Sequence, residues 1–249
     1  MRRFYLKEDD TVAGGSIKLS GDSYNHIRNV LRLNAGDEVT VSDGAGTDYA
    51  CVIDGFEDGV VDLKITDLNR NAAELPVEIT LYQGMPKGDK LDLVIEKAVE
   101  LGAARVVPVM MERTVVKLDD KKKEKRLQRY RAIAESAGKQ SGRGILVDVP
   151  DIMSYDDALK DACSLDRVLV PYEDARGMTH ARAIVKALKD DGIKTLGIFI
   201  GPEGGFAKSE IEKAEGSGAL VLSLGSRILR TETAGLTILS IIGFELDKG

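Results

Sequence analysis

The chain has no tryptophan, two cysteines, two histidines and 5% aromatic residues. So few rings argue against base-stacking platforms as the main means of binding nucleic acid. Cys51 and Cys163 lie far apart, with no CxxC pair and no clustered histidine, so neither a zinc site nor a disulfide is signalled, and a reducing cytoplasm is the expected compartment. No Asp/Glu/His group has metal-ligand spacing, which predicts a protein without a metal. The longest apolar stretch, 234–244, is interrupted by Thr237, Ser240 and Gly243. It falls short of the ~20 residues a membrane span needs, so no membrane partner is expected. The opening MRRFYLKEDD lacks the apolar core of a secretory signal. GxGxxG, GxxxxGK[ST] and GxSxG are absent, which lowers dinucleotide, P-loop and serine-hydrolase readings. There is no fixed-period repeat and no low-complexity tract.

What remains is ordinary for a globular protein: 249 residues, 43% hydrophobic and 31% charged, enough for one large domain or two modest ones. The net charge of −6 argues against a generally basic nucleic-acid binder. The charge is uneven, however. Residues 1–72 hold 8 Lys/Arg and 13 Asp/Glu, whereas 113–143 hold 11 Lys/Arg against 4 Asp/Glu. Such a segment attracts polyanions locally, although a solvated helix face is the commoner meaning of a charge run.

Two regions differ in pattern. In 1–70, short alternating segments at 2–6, 16–19, 38–42, 49–53 and 60–65 predict strands, separated by the turn signals DGAG and EDG, with a helix over 24–31. This predicts a small β-barrel or sandwich. The polar NRNAAELP at 69–76 reads as a linker. From 74 to 249 strands and helices alternate: strands at 77–83, 105–109, 145–149, 167–171, 195–200 and 219–224, helices at 89–101, 119–137, 155–161, 179–189, 209–215 and 231–246. That alternation predicts an α/β domain with a parallel sheet covered by helices on both faces.

Two loops stand at the ends of successive strands. Gly201-Pro202-Glu203-Gly204-Gly205 follows the β-branched run 195–200, and 224–234, LGSRILRTETA, leads into the last helix with Thr231 as its candidate N-cap. Ligands of open α/β sheets bind at the carboxyl ends of strands, and free N–H groups at a helix start suit anionic groups. The ordinary structural reading of the first loop is a tight turn, and of Arg227 and Arg230 surface side chains. The segment GMPKGDK, 84–90, resembles a phosphate loop superficially. His26, beside Arg28 and Arg32, reads as a surface helix residue or a phosphate contact, and His180 carries no assigned role.

GPEGGF at 201–206 followed by LGSRILRTETA at 224–234 resembles the paired signature of the RsmE family, the 16S ribosomal RNA (uracil-N3)-methyltransferases of the SPOUT superfamily. The resemblance spans the chain: RRFYL at 2–6, His26 with NVLRL at 29–33 and SDGAG at 42–46 are similar to that family's PUA-like barrel, and KGDKLDLVIEKAVELGA at 87–103, ERTVVK at 112–117 and KQSGR at 139–143 to its central segments.

The resemblance implies a trefoil-knotted parallel sheet, a PUA-like β-barrel over 1–70 for RNA recognition, S-adenosylmethionine as methyl donor, the small-subunit 16S rRNA as substrate and a homodimer in the cytoplasm. Donor-binding candidates are then Ile200, Gly201, Glu203, Gly204, Leu224, Gly225, Leu229 and Thr231. The catalytic candidates are Arg230, over the uracil oxygens, and Glu232, as proton acceptor; both have the alternative role of holding the knot together. Candidate RNA contacts are Arg2, Arg3, His26, Arg28, Arg32, Arg113, Lys117, Arg129 and Arg143. Three readings compete: a non-catalytic RNA-binding assembly factor, a nucleotide-using small-molecule enzyme, and a SPOUT methyltransferase acting on another RNA.

Overall fold

The computed structural model describes residues 2–116, 119–175 and 177–247. Two compact units emerge, one from residues 1–74 with 138–146, the other from 75–137 with 147–249. The expected break near residues 70–74 therefore leaves out 138–146, which pack with the first unit.

The first unit contains β1 (Arg3–Tyr5), β2 (Thr11–Ala13), β3 (Ser16–Leu19), α1 (Gly21–Asn25), β4 (Glu38–Ser42), β5 (Thr47–Glu57) and β6 (Val60–Arg70). They form one mixed sheet of order β1-β4-β5-β6-β3-β2, in which β1 and β4 run parallel and the other neighbours antiparallel. Five of these strands send residues into one cluster: Phe4, Ile17, Leu19, Val39, Val41, Cys51, Ile53, Val61 and Leu63, closed by Ile27 and Leu33. A six-stranded sheet that buries one face on itself must curl, and register shifts at Ala50/Cys51 and Ile53/Gly55 supply the bends. The β5–β6 hairpin closes on Asp58 and Gly59, both at positive φ (47° and 80°), the twist a two-residue hairpin favours. The helix expected over 24–31 is instead α1 followed by a π-helical turn, His26–Val30.

Residues 138–146 join this unit through backbone groups. The Ser42 hydroxyl donates to the Gly144 carbonyl at 2.8 Å, the Leu146 amide to Gly44 at 3.0 Å and the Tyr5 hydroxyl to the Arg143 carbonyl at 2.9 Å. Burial pushes the Tyr5 phenol up to about 12. A Cβ at Gly144 would fall 2.4 Å from Asn71 Cβ, so a side chain there would displace the segment.

The second unit contains β7 (Glu78–Gly84), α2 (Lys90–Glu100), β8 (Ala103–Met110), most of α3 (Asp120–Ser141), β9 (Met153–Ser154), α4 (Tyr155–Ala162), β10 (Arg167–Pro171), α5 (Met178–Asp190), β11 (Thr195–Ile200), α6 (Lys208–Gly216), β12 (Leu220–Leu222) and α7 (Thr231–Leu246). The sheet is parallel throughout, with order β12-β10-β11-β7-β8-β9. Its strands are buried on both faces, which is why 195–200 reads as a continuous apolar run. One face packs under α2, α3, α5 and α7, around Val94, Ile95, Ile184, Ile238 and Leu239. The other packs under α4 and α6, where Tyr82 stacks on Phe199 with ring centroids 4.3 Å apart. The strand expected at 145–149 does not form; that stretch makes isolated bridges only, with Val147 and Val149 buried by packing rather than by a ladder.

Among the described residues no helix is long and apolar enough to cross a membrane, and no group of three or more His, Cys, Asp or Glu is placed to hold a metal. Cys51 is buried and Cys163 exposed, both as free thiols.

Candidate active site

The central strands β7 and β11 pair in register from Thr195↔Glu78 to Ile200↔Gln83, so their carboxyl ends finish side by side. Close packing shapes the loops that leave them. A Cβ at Gly84 would lie 2.6 Å from the Pro202 nitrogen, and one at Gly201 would lie 3.0 Å from the Gly205 carbonyl carbon. Only glycine lets these backbones approach so closely. The Gly205 amide, at positive φ, donates to Pro202 O at 2.9 Å and closes the turn.

Thr231 locks this loop to the last helix. Its hydroxyl donates to the Gly201 carbonyl at 2.6 Å and accepts from Gln83 Nε2 at 2.8 Å. The N-cap is Arg230, with extended backbone and no capping side chain, so Thr231 is the first helical residue and not the cap expected of it. Its buried hydroxyl is committed to the loop and is not a free ligand for a donor molecule.

Between these elements lies a cavity of about 410 Å³, lined by Lys90, Pro171, Tyr172, Glu173, Ile200, Gly201, Pro202, Glu203, Gly205, Phe206, Ile228, Leu229, Arg230, Thr231 and Ala234. A smaller hollow shares Pro171, Tyr172, Glu173, Ile228, Leu229 and Ala234 with it and adds Leu224 and Gly225. Five of the eight expected donor-binding residues (Ile200, Gly201, Glu203, Leu229 and Thr231) thus line the cavity, and Leu224 and Gly225 line the adjoining hollow. The eighth, Gly204, packs on Arg113, whose guanidinium donates to the Gly204 carbonyl at 2.9 Å.

The charges at the cleft are paired unevenly. Lys90 Nζ lies 2.9 Å from Glu203 Oε1 and 3.8 Å from Glu232 Oε2. The hydrogen bond to Glu203 raises the Lys90 ammonium above its ordinary value. Partial burial pushes the Glu203 carboxyl up, but the hydrogen bonds from Lys90 and from the Lys87 amide outweigh it and hold the group below the usual range. Glu203 is therefore engaged with the chain itself. Glu232 Oε2 is buried and accepts no hydrogen bond. Arg230 is exposed at the cleft.

Sequence reasoning missed Gln83, Lys90, Pro171, Tyr172, Glu173 and Phe206. The rule that ligands gather at strand carboxyl ends would have found Gln83 and the 171–173 segment, which lie at the carboxyl ends of β7 and β10.

The expected RNA contacts divide. Arg2, His26, Arg28 and Arg32 are exposed on the first unit. Arg2 pairs with Asp37 at 2.8 Å, His26 meets the Phe4 ring edge-on, and the Arg28 guanidinium lies 4.6 Å over the Phe56 ring. Arg3 and Arg143 are corrections. Arg3 is buried and grips Asp48 through both carboxylate oxygens at 2.6 and 2.8 Å. Arg143, 2% exposed, holds Glu74 at 2.7 Å. Neither guanidinium faces a surface where a phosphate could bind; they cross-link the first unit. Arg113 serves as the clamp on Gly204, and Arg129 pairs with Asp89, just before α2, and with Asp92 in its first turn. Lys117 lies outside the described residues.

A parallel sheet with a glycine-shaped cleft at its carboxyl edge defines a ligand-using α/β domain, and comparison with known proteins gives its class. Residues 73–243 match the RNA methyltransferase domain family, and residues 19–66 match the RNA methyltransferase PUA domain family. A protein of Bacillus subtilis named ribosomal RNA small subunit methyltransferase E is 33% identical over 99% of this chain and 98% of its own length. A Neisseria gonorrhoeae ribosomal RNA small subunit methyltransferase E, solved bound to S-adenosylmethionine, is 31% identical with a TM-score of 0.83, covering 98% of this chain and 97% of that one. A Legionella pneumophila protein solved in complex with the same cofactor is 29% identical with a TM-score of 0.80, over 97% and 96% of the two chains. The chain belongs to the ribosomal RNA small subunit methyltransferase E family, and it is an RNA methyltransferase.

Proposed function

We propose that this chain transfers the methyl group of S-adenosylmethionine to N3 of a uridine in the 16S rRNA of the small ribosomal subunit. One observation carries the reading: Arg230 and Glu232 flank the first residue of α7, Arg230 lining a cleft built by two glycine-bearing loops and Glu232 reached by Lys90 from that cleft.

The cleft fits the donor. About 410 Å³ suits a nucleoside-sized ligand. Ile200, Leu229, Phe206 and Ala234 offer apolar surface for a purine, the loops offer backbone groups for its edge, and Glu173 is an exposed carboxylate suited to a cationic amine or ribose hydroxyls. S-adenosylmethionine supplies a methyl already activated on a sulfonium. The chain's own work lies on the acceptor side. Glu232 takes the N3 proton, directly or through one water. Arg230 stabilises the negative charge that spreads to the uracil oxygens as that proton leaves. Holding both reactants at one cleft supplies the rest.

The same reading makes loops 201–205 and 224–234 the loops of a trefoil knot, an exception to the usual absence of knots. It assigns residues 1–70 to RNA recognition on a PUA-like barrel, with Arg2, His26, Arg28 and Arg32 as phosphate contacts, and residues 74–249 to the methyltransferase domain. A cytoplasmic homodimer completes it. Phe244 on α7 is 89% exposed and Ile228 84%, apolar surface that a second copy would cover.

The test is transfer of labelled methyl from S-adenosylmethionine to small subunits from cells lacking the enzyme, with nucleosides identified by mass spectrometry. 3-Methyluridine at one site is expected, and Arg230→Ala should abolish it while donor binding persists. Methylation at another atom overturns the N3 assignment. Donor binding without transfer overturns the substrate, and absence of donor binding overturns the cleft assignment.

A further inference from the structure

Lys90 opens α2, and its ammonium reaches carboxylates on two other elements, Glu203 after β11 and Glu232 in the first turn of α7. The two carboxylates are not equally served. Glu203 also accepts from the Lys87 amide at 3.0 Å, so it keeps hydrogen bonds when Lys90 is removed. Glu232 has one oxygen buried without a hydrogen bond, and among the described residues Lys90 is the cation within ion-pair reach of it. Lys90, which lines the cleft together with Glu203, Glu173 and Arg230, joins Glu232 to it. A carboxylate stripped of water and hydrogen bonds is disfavoured as an ion, and a neighbouring ammonium restores the ionised form.

We infer that Lys90 is a positioning residue for methyl transfer: its ammonium, shared between Glu203 and Glu232, pairs with the Glu232 carboxylate and holds it beside the cleft. The inference rests on the reading of Glu232 as proton acceptor. It has a consequence that mere structural support lacks. Removing Lys90 and removing the charge of its competitor Glu203 must act on Glu232 in opposite directions. Lys90→Met withdraws the compensating charge. Glu203→Gln removes a negative neighbour and leaves the ammonium to Glu232 alone.

The experiment is the pH dependence of single-turnover methyl transfer by the full chain at saturating S-adenosylmethionine and small subunits. The acid limb of the profile is expected to move up by about one pH unit in Lys90→Met, to return close to wild type in Lys90→Arg, and to move down in Glu203→Gln. General loosening of the site would lower the plateau without shifting the limb in two directions. Coincident limbs in wild type, Lys90→Met and Glu203→Gln overturn the inference. Should Lys90→Met not fold, a limb that fails to move down in Glu203→Gln overturns it by itself. Glu232→Gln separates the two readings. If it keeps the wild-type plateau and limb, the proton-acceptor assignment fails and the role of Lys90 falls with it. If it loses turnover while the Lys90→Met limb stays in place, the Lys90 inference alone fails.

Discussion

The Thr231 hydroxyl stands 2.6 Å from the Gly201 carbonyl oxygen, and through Gln83 Nε2, 2.8 Å away, the same hydroxyl is tied to the end of β7. One side chain thus joins the loop after β11, the start of α7 and the central strand. All three groups are buried, so each bond is worth more when lost than when made, because the partner left behind cannot turn to water. Thr231→Val keeps the shape and removes both bonds. It should cost about 1–3 kcal/mol of stability and weaken S-adenosylmethionine binding several-fold, with Thr231→Ser close to wild type. Urea denaturation and titration calorimetry measure the two effects. Unchanged donor affinity in Thr231→Val would show that the loop holds its shape without this relay.

Gly84→Ala tests the close approach of the strand end to the loop. The new methyl would sit 2.6 Å from the Pro202 nitrogen, which is backbone and cannot swing aside. Loop 201–206 must move, so donor binding should fall by at least tenfold. Gly204→Ala is the milder companion, because its methyl would meet the Arg113 Cβ at 3.0 Å, a contact relieved by a shift of a few tenths of an ångström. Calorimetry on both variants ranks them; equal affinities would mean that the loop tolerates displacement.

Much of this was legible beforehand for a physical reason. The segments 16–19, 38–42, 167–171, 195–200 and 231–246 coincide with elements of the structure, because each carries its burial pattern in its own residues. The misread parts depend on partners distant in sequence. Val147 and Val149 alternate as a strand would, but helix packing buries them. Arg143 sits in a basic run and reads as an RNA contact until Glu74, 69 residues away, is seen to claim it. Lys90 lay in a segment judged only as a poor phosphate loop, and its value comes from two carboxylates more than 100 residues further on.

The first unit should lose stability in acid through Asp48. Burial raises this carboxyl, but the hydrogen bonds from Arg3 and Asn71 outweigh it, and its folded value lies below the ordinary one. A depressed carboxylate contributes stability above its unfolded pKa, near 3.9, and that contribution disappears as the pH falls through the lower folded value. Asp48→Asn should therefore be less stable than wild type at pH 7, with the gap narrowing below about pH 4. Thermal melts from pH 7 to pH 3 follow it; a gap independent of pH would mean that packing, not charge, accounts for the loss.

Arg28 and Arg143 offer a direct contrast between a surface guanidinium and an internal one. Arg28 is exposed above the Phe56 ring, a pairing that fixes its direction while leaving its donors available. If it meets a phosphate, Arg28→Ala should weaken RNA binding across sequences and lower the slope of log K against log salt by about 1. The fold should barely notice. Arg143→Met should behave in the opposite way. It leaves the Glu74 carboxylate, which also accepts from the Gly144 and Ile145 amides, without its cation. Breaking one side of a buried pair costs roughly 3–5 kcal/mol, and whatever remains folded should keep the wild-type salt slope. Filter binding over a range of salt, read beside thermal melts, gives both quantities for both variants. A slope unchanged by Arg28→Ala would take Arg28 out of the RNA surface, and a slope reduced by Arg143→Met in folded protein would restore Arg143 to it.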